Sequence, residues 1–195
     1  MVCGTSAEVG KTTTSTGLVR ALKEQGLQVA GTKFAGTGRM RDMMSLRDAG
    51  AFPWIDFPDV GLPTTYTSET RFKKGTYTLF NWINGGYPKP DIIIAEAGGD
   101  PIEANIPTFL RDPALIRNVC AIIVVPGDVM GIMGTVSYLR QFTDSPLFLT
   151  DPKGRNPVST RDRVRQELPG IPSFNSLDPS EVHAVAKQIT ANYGK

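Results

Sequence analysis

The sequence is poor in several residue types, and each scarcity excludes a class of protein. Its 195 residues include two cysteines and one histidine, too few for a disulfide framework or a dedicated zinc site. No apolar run approaches the roughly 20 residues that a membrane-spanning helix needs. The formal net charge is only +2, so charge gives no argument for a nucleic-acid or membrane partner. We expect a cytoplasmic protein with both cysteines reduced and buried in strands.

Length and composition are typical of one folded domain. Apolar residues make up 40% of the chain and charged residues 21%, ordinary values for a globular protein. A chain of this length can bury a sizeable core. Because no repeat, low-complexity tract or linker divides it, we predict a single domain over residues 1–195.

A glycine-bounded loop near the start of the chain is the most informative stretch. A short apolar lead precedes it and a helical pattern follows it, and such a loop cradles phosphate oxygens with successive backbone N–H groups. Lys11 is expected to reach the β- and γ-phosphates of a nucleotide, and the Thr12 hydroxyl to hold Mg²⁺. The predicted nucleotide-binding residues are Gly4, Thr5, Ser6, Ala7, Glu8, Val9, Gly10, Lys11, Thr12 and Thr13.

This loop is a lengthened variant of the usual pattern. The first glycine normally stands five residues before the Gly-Lys pair, and that position is Thr5 here, with Gly4 one residue further back. The alternative interpretation is a Gly-Lys-Thr tripeptide that only caps a helix. The apolar lead and the glycines at both ends favour phosphate binding.

The strand before the loop is short. A central parallel strand usually has five or six residues, but only Met1, Val2 and Cys3 precede the loop. Either the first strand is unusually short, or the domain forms the C-terminal part of a longer polypeptide. We favour the second explanation and expect apolar neighbours of the truncated strand to be partly uncovered.

A second informative stretch covers residues 91–100. Its continuous apolar run predicts a strand buried on both faces, and the run ends in Glu96 and two glycines. Glu96 would therefore lie at the carboxyl edge of the sheet, where open α/β sheets bind ligands. A carboxylate there can hold Mg²⁺ directly or through water. The alternative is an acid that only caps the next turn.

The rest of the chain alternates between strand and helix patterns. A stripe of Met40, Met43 and Met44 marks the apolar side of a helix over residues 39–49. Residues 50–68 are rich in proline and aromatics, which is typical of a functional loop and also of a packed surface loop. Further strands are predicted over residues 27–34, 121–125, 146–150 and near 169–174, and further helices over 11–25, near 77–83, and over 131–142, 161–168 and 180–193. This order predicts an α/β fold, a doubly wound, mainly parallel sheet with helices on both faces.

The loop sequences resemble those of dethiobiotin synthetases, which belong to the P-loop NTPases. That family has Gly-Thr-Asp-Thr-Glu-Val-Gly-Lys-Thr in its phosphate loop, similar to residues 4–12. Its second strand ends in Gly-x-Lys before a small-residue loop, as at residues 31–38, and its Glu-Gly-Ala-Gly-Gly resembles residues 96–99. The order of elements matches throughout, but identical residues are confined to these loops. Related families include cobyrinic acid diamide synthases, partition-type ATPases and two-domain proteins with such a domain in the C-terminal half.

The resemblance implies an ATP- and Mg²⁺-dependent ligase that carboxylates an amine, phosphorylates the carbamate and closes a cyclic urea. Carried over by position, Lys11 and Lys33 would neutralise the transferred phosphate, and Thr37 would stand near the carboxylated amine. Thr12, Glu96 and Asp48 would hold Mg²⁺, with Asp48 matched only through its neighbours. Asp151 and residues 171–175 would bind the adenine. The partners implied are a small-molecule substrate and a second copy of the chain.

Departures from the family pattern lie on the substrate side. Ser6 and Ala7 replace Asp and Thr, the turn after Glu96 is one residue shorter, and residues 40–68 have no close counterpart. Two alternatives therefore stay open: a nucleotide-switched ATPase that binds a partner protein, and an accessory nucleotide-binding domain of a larger enzyme. Such switches usually carry a second lysine early in the phosphate loop, and residues 5–9 contain none.

Overall fold

A six-stranded, fully parallel sheet organises the molecule, in the order β2-β3-β1-β4-β5-β6. The computed structural model describes residues 1–151 and 157–193. The strands are β1 (Val2–Gly4), β2 (Val29–Ala35), β3 (Ile92–Ala97), β4 (Ile122–Val125), β5 (Leu147–Thr150) and β6 (Ser173–Phe174). The predicted α/β fold is confirmed, and the first strand is as short as the sequence indicates.

Helices cover both faces of this sheet. One apolar core contains residues of α1, α2 and α8, and the other contains residues of α3, α4, α5, α6 and α7. The helices are α1 (Lys11–Glu24), α2 (Met40–Asp48), α3 (Glu69–Asn84), α4 (Ile106–Leu110), α5 (Pro113–Ile116), α6 (Val129–Leu139), α7 (Pro157–Glu167) and α8 (Pro179–Tyr193). Within the described ranges, no helix is long and apolar enough to span a bilayer.

The proline-rich segment after α2 is packed along the edge strand β2. Phe52 N–H donates to the Val29 carbonyl at 2.7 Å, and the Gly31 N–H donates to the Pro53 carbonyl at 3.0 Å. Further along, the Phe57 N–H donates to the Lys33 carbonyl at 3.2 Å. This segment therefore satisfies backbone groups that an edge strand would otherwise expose.

Several local predictions need correction. The predicted methionine stripe on α2 is confirmed for Met43, which is buried, and wrong for Met40, which is 69% exposed. The buried side of the helix carries Asp42 and Leu46 beside Met43. Cys3 is buried as expected, whereas Cys120 precedes β4 and is partly exposed. The short helices α4 and α5 had no predicted counterpart, and α3 begins at Glu69, well before the predicted residues 77–83.

Candidate functional site

The loop of residues 5–10 links β1 to α1 and has the shape of a phosphate cradle. Gly10 precedes the helix with φ 112°, and Glu8 has φ 60°, so the backbone turns through the left-handed region that favours glycine. A side chain on Gly4 would place its Cβ 2.7 Å from Val9 Cγ2. Backbone that turns in this way can direct successive N–H groups at one anion.

The beginning of the loop is tied to β4 and the residues after it. Thr5 N–H donates to the Val125 carbonyl at 3.1 Å, and Gly127 N–H donates to Thr5 Oγ1 at 2.7 Å. A Cβ on Gly131, in the first turn of α6, would lie 3.0 Å from Thr5 Cβ. The end of β4 and the first turn of α6 therefore hold the beginning of the loop in place.

Lys11 lies beneath the loop, in the first turn of α1, and is 6% exposed. Its ammonium donates to the Ser6 carbonyl at 2.7 Å and to the Gly99 carbonyl at 3.0 Å. Burial lowers the pKa of Lys11, and the Glu96 carboxylate opposes that shift. The ammonium thus joins the phosphate loop to the segment after β3, at the carboxyl edge of the sheet.

Thr12, Ser15 and Glu96 form a hydroxyl–carboxylate group beside Lys11. The Thr12 hydroxyl donates to Glu96 Oε1 at 3.2 Å, and the Ser15 hydroxyl donates to Glu96 Oε2 at 3.2 Å. Glu96 is 2% exposed, and burial raises the pKa of its carboxyl, against the opposing charge of Lys33. The predicted position of Glu96 at the end of a buried strand is confirmed by the bounds of β3.

These oxygen donors fit a magnesium site that is completed by phosphate and water. Mg²⁺ is bound through one or two protein oxygens and substrate phosphates rather than an all-protein cage. In the part of the chain that the structure describes, no cluster of three or more His, Cys, Asp and Glu residues could hold a metal alone. Thr12 and Glu96 are therefore the protein groups that would hold the ion beside a bound nucleotide.

A buried ion pair, Lys33 with Asp42, stands next to this group. Lys33 Nζ donates to Asp42 Oδ2 at 2.6 Å, and β2 and α2 supply the two residues. Sequence reasoning identified Lys33 but missed Asp42 and Ser15. Asp42 stands next to Met43 in the sequence, within a helix that was predicted to have an apolar side. A charged residue in that position was the signal that could have identified it.

One cavity of about 1070 Å³ contains most of these groups. Because Lys33 and Glu96 come from β2 and β3, while Ser176 and Leu177 follow β6, the cavity lies along the carboxyl ends of the strands. Ligands of open α/β sheets bind at this edge. Predicted site residues that line it are Ala7, Glu8, Gly10, Lys11, Thr12, Thr13, Lys33, Thr37, Asp48 and Glu96.

Three predicted residues stand apart from the central cluster. Thr37 is exposed in the turn after β2 and lines the cavity. Asp48 also lines it, but its carboxylate accepts from the guanidinium of Arg47 at 2.8 Å, whereas Glu96 is the acid that contacts Thr12. Asp151 accepts from Arg161 Nε at 2.6 Å. The predicted roles of these three residues in chemistry, metal binding and adenine binding stay predictions.

Comparison with known proteins identifies the family. Residues 1–181 match the CobQ/CobB/MinD/ParA nucleotide binding domain. The chain belongs to this family. The match supports a P-loop nucleotide-binding domain, and it is broader than the resemblance to dethiobiotin synthetases. No curated protein matches the sequence.

A solved structure with a similar fold is that of HypB from Helicobacter pylori in complex with nickel. The two chains are 16% identical with a TM-score of 0.59, over 97% of this chain and 85% of HypB. At this level of identity the likeness concerns the fold alone. It agrees with the α/β fold of this CobQ/CobB/MinD/ParA domain.

Proposed function

We propose that this protein is an ATP- and Mg²⁺-dependent enzyme that transfers the γ-phosphoryl group to a carboxylate or carbamate of a small molecule. The observation that carries the proposal is a second buried lysine, Lys33, in the cavity that contains Lys11. A domain that only binds nucleotide needs the phosphate-loop lysine, whereas a transferred phosphoryl group is neutralised from more than one side.

The electrostatics of the cluster support this role for Lys33. The charge of Lys33 contributes to lowering the pKa of Lys11, so the two cations repel each other across the site. Like charges in a site of low dielectric constant are costly unless an anion lies near them. Asp42 offsets the charge of Lys33, and a phosphoryl group between the two lysines would offset both.

In this mechanism the residues have distinct tasks. Lys11 and the backbone of residues 5–10 would hold the β- and γ-phosphates, and Thr12 and Glu96 would hold Mg²⁺, which supplies charge neutralisation at the phosphate oxygens when bound. An oxygen of the acceptor attacks the γ-phosphorus, and the bond from that phosphorus to the bridging oxygen of ADP breaks. The product is an acyl phosphate, and attack by an amine on its carbonyl carbon would then release inorganic phosphate.

The acceptor would lie beside Lys33 and the turn after β2. Gly36 in this turn approaches Gly98 so closely that a Cβ on Gly36 would lie 2.8 Å from Gly98 Cα. Glycine at both positions allows this close backbone packing beside Lys33, and the exposed Thr37 would offer a hydroxyl to the acceptor. We place the adenine near Asp151 and residues 171–175, close to the cavity residues Ser176 and Leu177, and we propose a homodimer.

A nucleotide-switched ATPase that binds a partner protein is the second candidate. Two contacts favour it. The Lys11 ammonium donates to the carbonyl of Gly99. In the segment after Gly99, the Glu103 carboxylate accepts a 2.6 Å hydrogen bond from the Tyr66 hydroxyl. A γ-phosphate on Lys11 would compete with this carbonyl and could shift that segment. Residues 5–9 contain no second lysine, which favours the enzyme.

Acceptor-dependent ADP release tests the proposal. Wild type is assayed with ATP, Mg²⁺, bicarbonate and a panel of diamines and amino acids, beside Lys33→Met and the control Lys74→Met, a change at an exposed lysine of α3. We expect Lys33→Met to bind ATP but to lose stimulated release by at least roughly a hundredfold, and Lys74→Met to match wild type. The double variant Lys33→Met/Asp42→Asn removes both charges in case the single variant is unstable. No stimulation of wild type by any acceptor would favour the switch.

A further inference from the structure

The cavity at the phosphate loop continues along α1, away from the loop. Thr16, Arg20 and Glu24 of this helix line it, and because they are four residues apart they lie on one side of the helix. From Thr12, which also lines the cavity, to Glu24 the helix rises by roughly 18 Å. Phosphates held by Lys11 and Thr12 would occupy only the first part of this length.

Helix α2 forms the second wall of this space. Arg41, Ser45 and Asp48 line it, and their spacing again places them on one side of the helix. Since α2 follows the edge strand β2, whereas residues 176–177 follow β6 at the opposite edge of the sheet, this wall is separate from the side on which we place the adenine. We call the space between these residues of α2 and the facing residues of α1 the α1–α2 groove.

Contacts at both ends of the α1–α2 groove show that the two helices stay close together. At the end nearer the phosphate loop, Arg39 Nη1 lies 3.4 Å from Glu8 Oε1. At the far end, a Cβ on Gly50 would lie 3.5 Å from Lys23 Cγ. The groove is therefore bordered by helix on both sides.

The acidic side chains that line the cavity already have partners. Glu96 accepts from the hydroxyls of Thr12 and Ser15, and each of the other acids lies next to a basic side chain. These pairs are Glu8 with Arg39, Glu24 with His183, Asp42 with Lys33 and Asp48 with Arg47. Within the described ranges, the cavity thus offers no further carboxylate to neutralise another cation.

Two arginines of the groove have no such partner. Arg20 and Arg41 are exposed and line the cavity, and their guanidinium groups form no ion pair and no hydrogen bond with any residue that the structure describes. Arg41 directly precedes Asp42, the partner of Lys33, so it stands at the end of the groove that leads to Lys33. A guanidinium keeps its charge at all ordinary pH values, and its fork of N–H donors matches the two oxygens of a carboxylate.

We propose that the α1–α2 groove binds a second anionic group of the acceptor, which Arg20 and Arg41 hold while the reacting carboxylate or carbamate lies beside Lys33. This inference rests on the phosphoryl transfer proposed above and names the class of acceptor: an elongated dicarboxylate, or an amino acid whose amine becomes a second anion on carboxylation. The two arginines act as specificity-determining residues, because an acceptor with a neutral tail leaves both cations unpaired.

Calorimetry with dicarboxylates tests the groove without turnover. Adipate and suberate are titrated into the protein with Mg²⁺ and a non-hydrolysable ATP analogue, and the monoamide of each is the control, since it keeps the shape of the ligand and removes one charge. The variants are Arg20→Met and Arg41→Met, with the charge-keeping Arg41→Lys. Arg117→Met, at an exposed arginine after α5 that does not line the cavity, is the matched control.

We expect wild type to bind at least one dicarboxylate about tenfold or more tightly than its monoamide. Arg20→Met and Arg41→Met should each reduce that preference, Arg41→Lys should keep part of it, and Arg117→Met should keep all of it. The affinity for the ATP analogue should change by less than about threefold in every variant, because exposed charges are screened by salt.

Several results would overturn the proposal: equal affinity for acid and monoamide, no binding of either dicarboxylate, or a preference that survives in both methionine variants. Weaker binding of the ATP analogue alone would assign the arginines to the nucleotide and would overturn it as well. The two proposals fail in different ways. A dicarboxylate preference without acceptor-dependent ADP release contradicts phosphoryl transfer only, and release stimulated equally by acceptors with neutral tails contradicts the groove only.

Discussion

Lys33 and Asp42 form an ion pair of 2.6 Å between the end of β2 and the first turn of α2, and both side chains are about nine-tenths buried. Desolvation of two charges costs about as much as their attraction returns, so such a pair is weak evidence for a role in stability. In the function proposed above, the pair positions Lys33 for a ligand beside Glu96 and the phosphate loop.

Removal of one partner from this pair should destabilise the fold. Asp42→Asn leaves the Lys33 ammonium buried without its counter-ion, and we expect a loss of about 3 kcal/mol in the free energy of unfolding. The matched control is Asp48→Asn, on the same helix, whose partner Arg47 is exposed; there the loss should stay below about 1 kcal/mol. Urea denaturation measures both values, and equal losses would contradict a buried pair.

Lys11→Ala should weaken ATP binding. The variant removes a charged hydrogen-bond donor to the phosphates, which is worth on the order of 1.5–3 kcal/mol. Calorimetry should therefore show roughly a tenfold to hundredfold weaker affinity, while Lys74→Met binds as wild type does. An unchanged affinity in Lys11→Ala would remove residues 4–13 from the nucleotide site.

Glu96→Gln should alter the dependence on Mg²⁺. The amide keeps the shape of the side chain and removes the charge that would hold the ion with Thr12. We expect the Mg²⁺ concentration that gives half-maximal turnover to rise roughly tenfold to a hundredfold. Glu167→Gln, at an exposed glutamate of α7, is the control. Overlapping titrations for Glu96→Gln and wild type would make Glu96 a structural residue.

Asp56 should make stability depend on pH. Burial and the neighbouring Asp59 raise the pKa of the Asp56 carboxyl from 3.8 to about 6. The folded chain therefore binds more protons than the unfolded chain in that window, and stability falls as pH rises through it. Between pH 4 and pH 7, the free energy of unfolding of wild type should fall by roughly 1–2 kcal/mol relative to that of Asp56→Asn. A constant difference between the two proteins over this range would contradict the assignment.

The sequence predicted the parallel sheet and the positions of the central residues of the candidate site because their signals are local. The phosphate loop and Lys11, together with Glu96 at the end of an apolar run, are each recognisable within about ten residues. Lys33 was recognisable only through its similarity to a family motif. These predictions depend on strand ends that a doubly wound sheet necessarily brings to one edge.

Other features depend on contacts that no local pattern contains. Asp42 becomes a candidate site residue only because α2 directs it toward Lys33. The residue pattern placed Met40 on the buried side of that helix and gave no such place to Asp42. Residues 52–57 cover the edge of β2 through backbone hydrogen bonds. Because side-chain identity contributes little to such bonds, the sequence pattern did not predict this contact. The metal role of Asp48 stays a prediction, since its carboxylate is paired with Arg47.

The transfer of a heavy-oxygen label tests phosphoryl transfer most directly. Once an acceptor is found, the reaction is run with the acceptor carboxylate or bicarbonate labelled in oxygen, and the released phosphate is analysed by mass spectrometry. If an acyl phosphate forms beside Lys11 and Lys33, the phosphate must carry one labelled oxygen from the acceptor. Phosphate whose new oxygen comes only from water would show simple hydrolysis and would contradict the account.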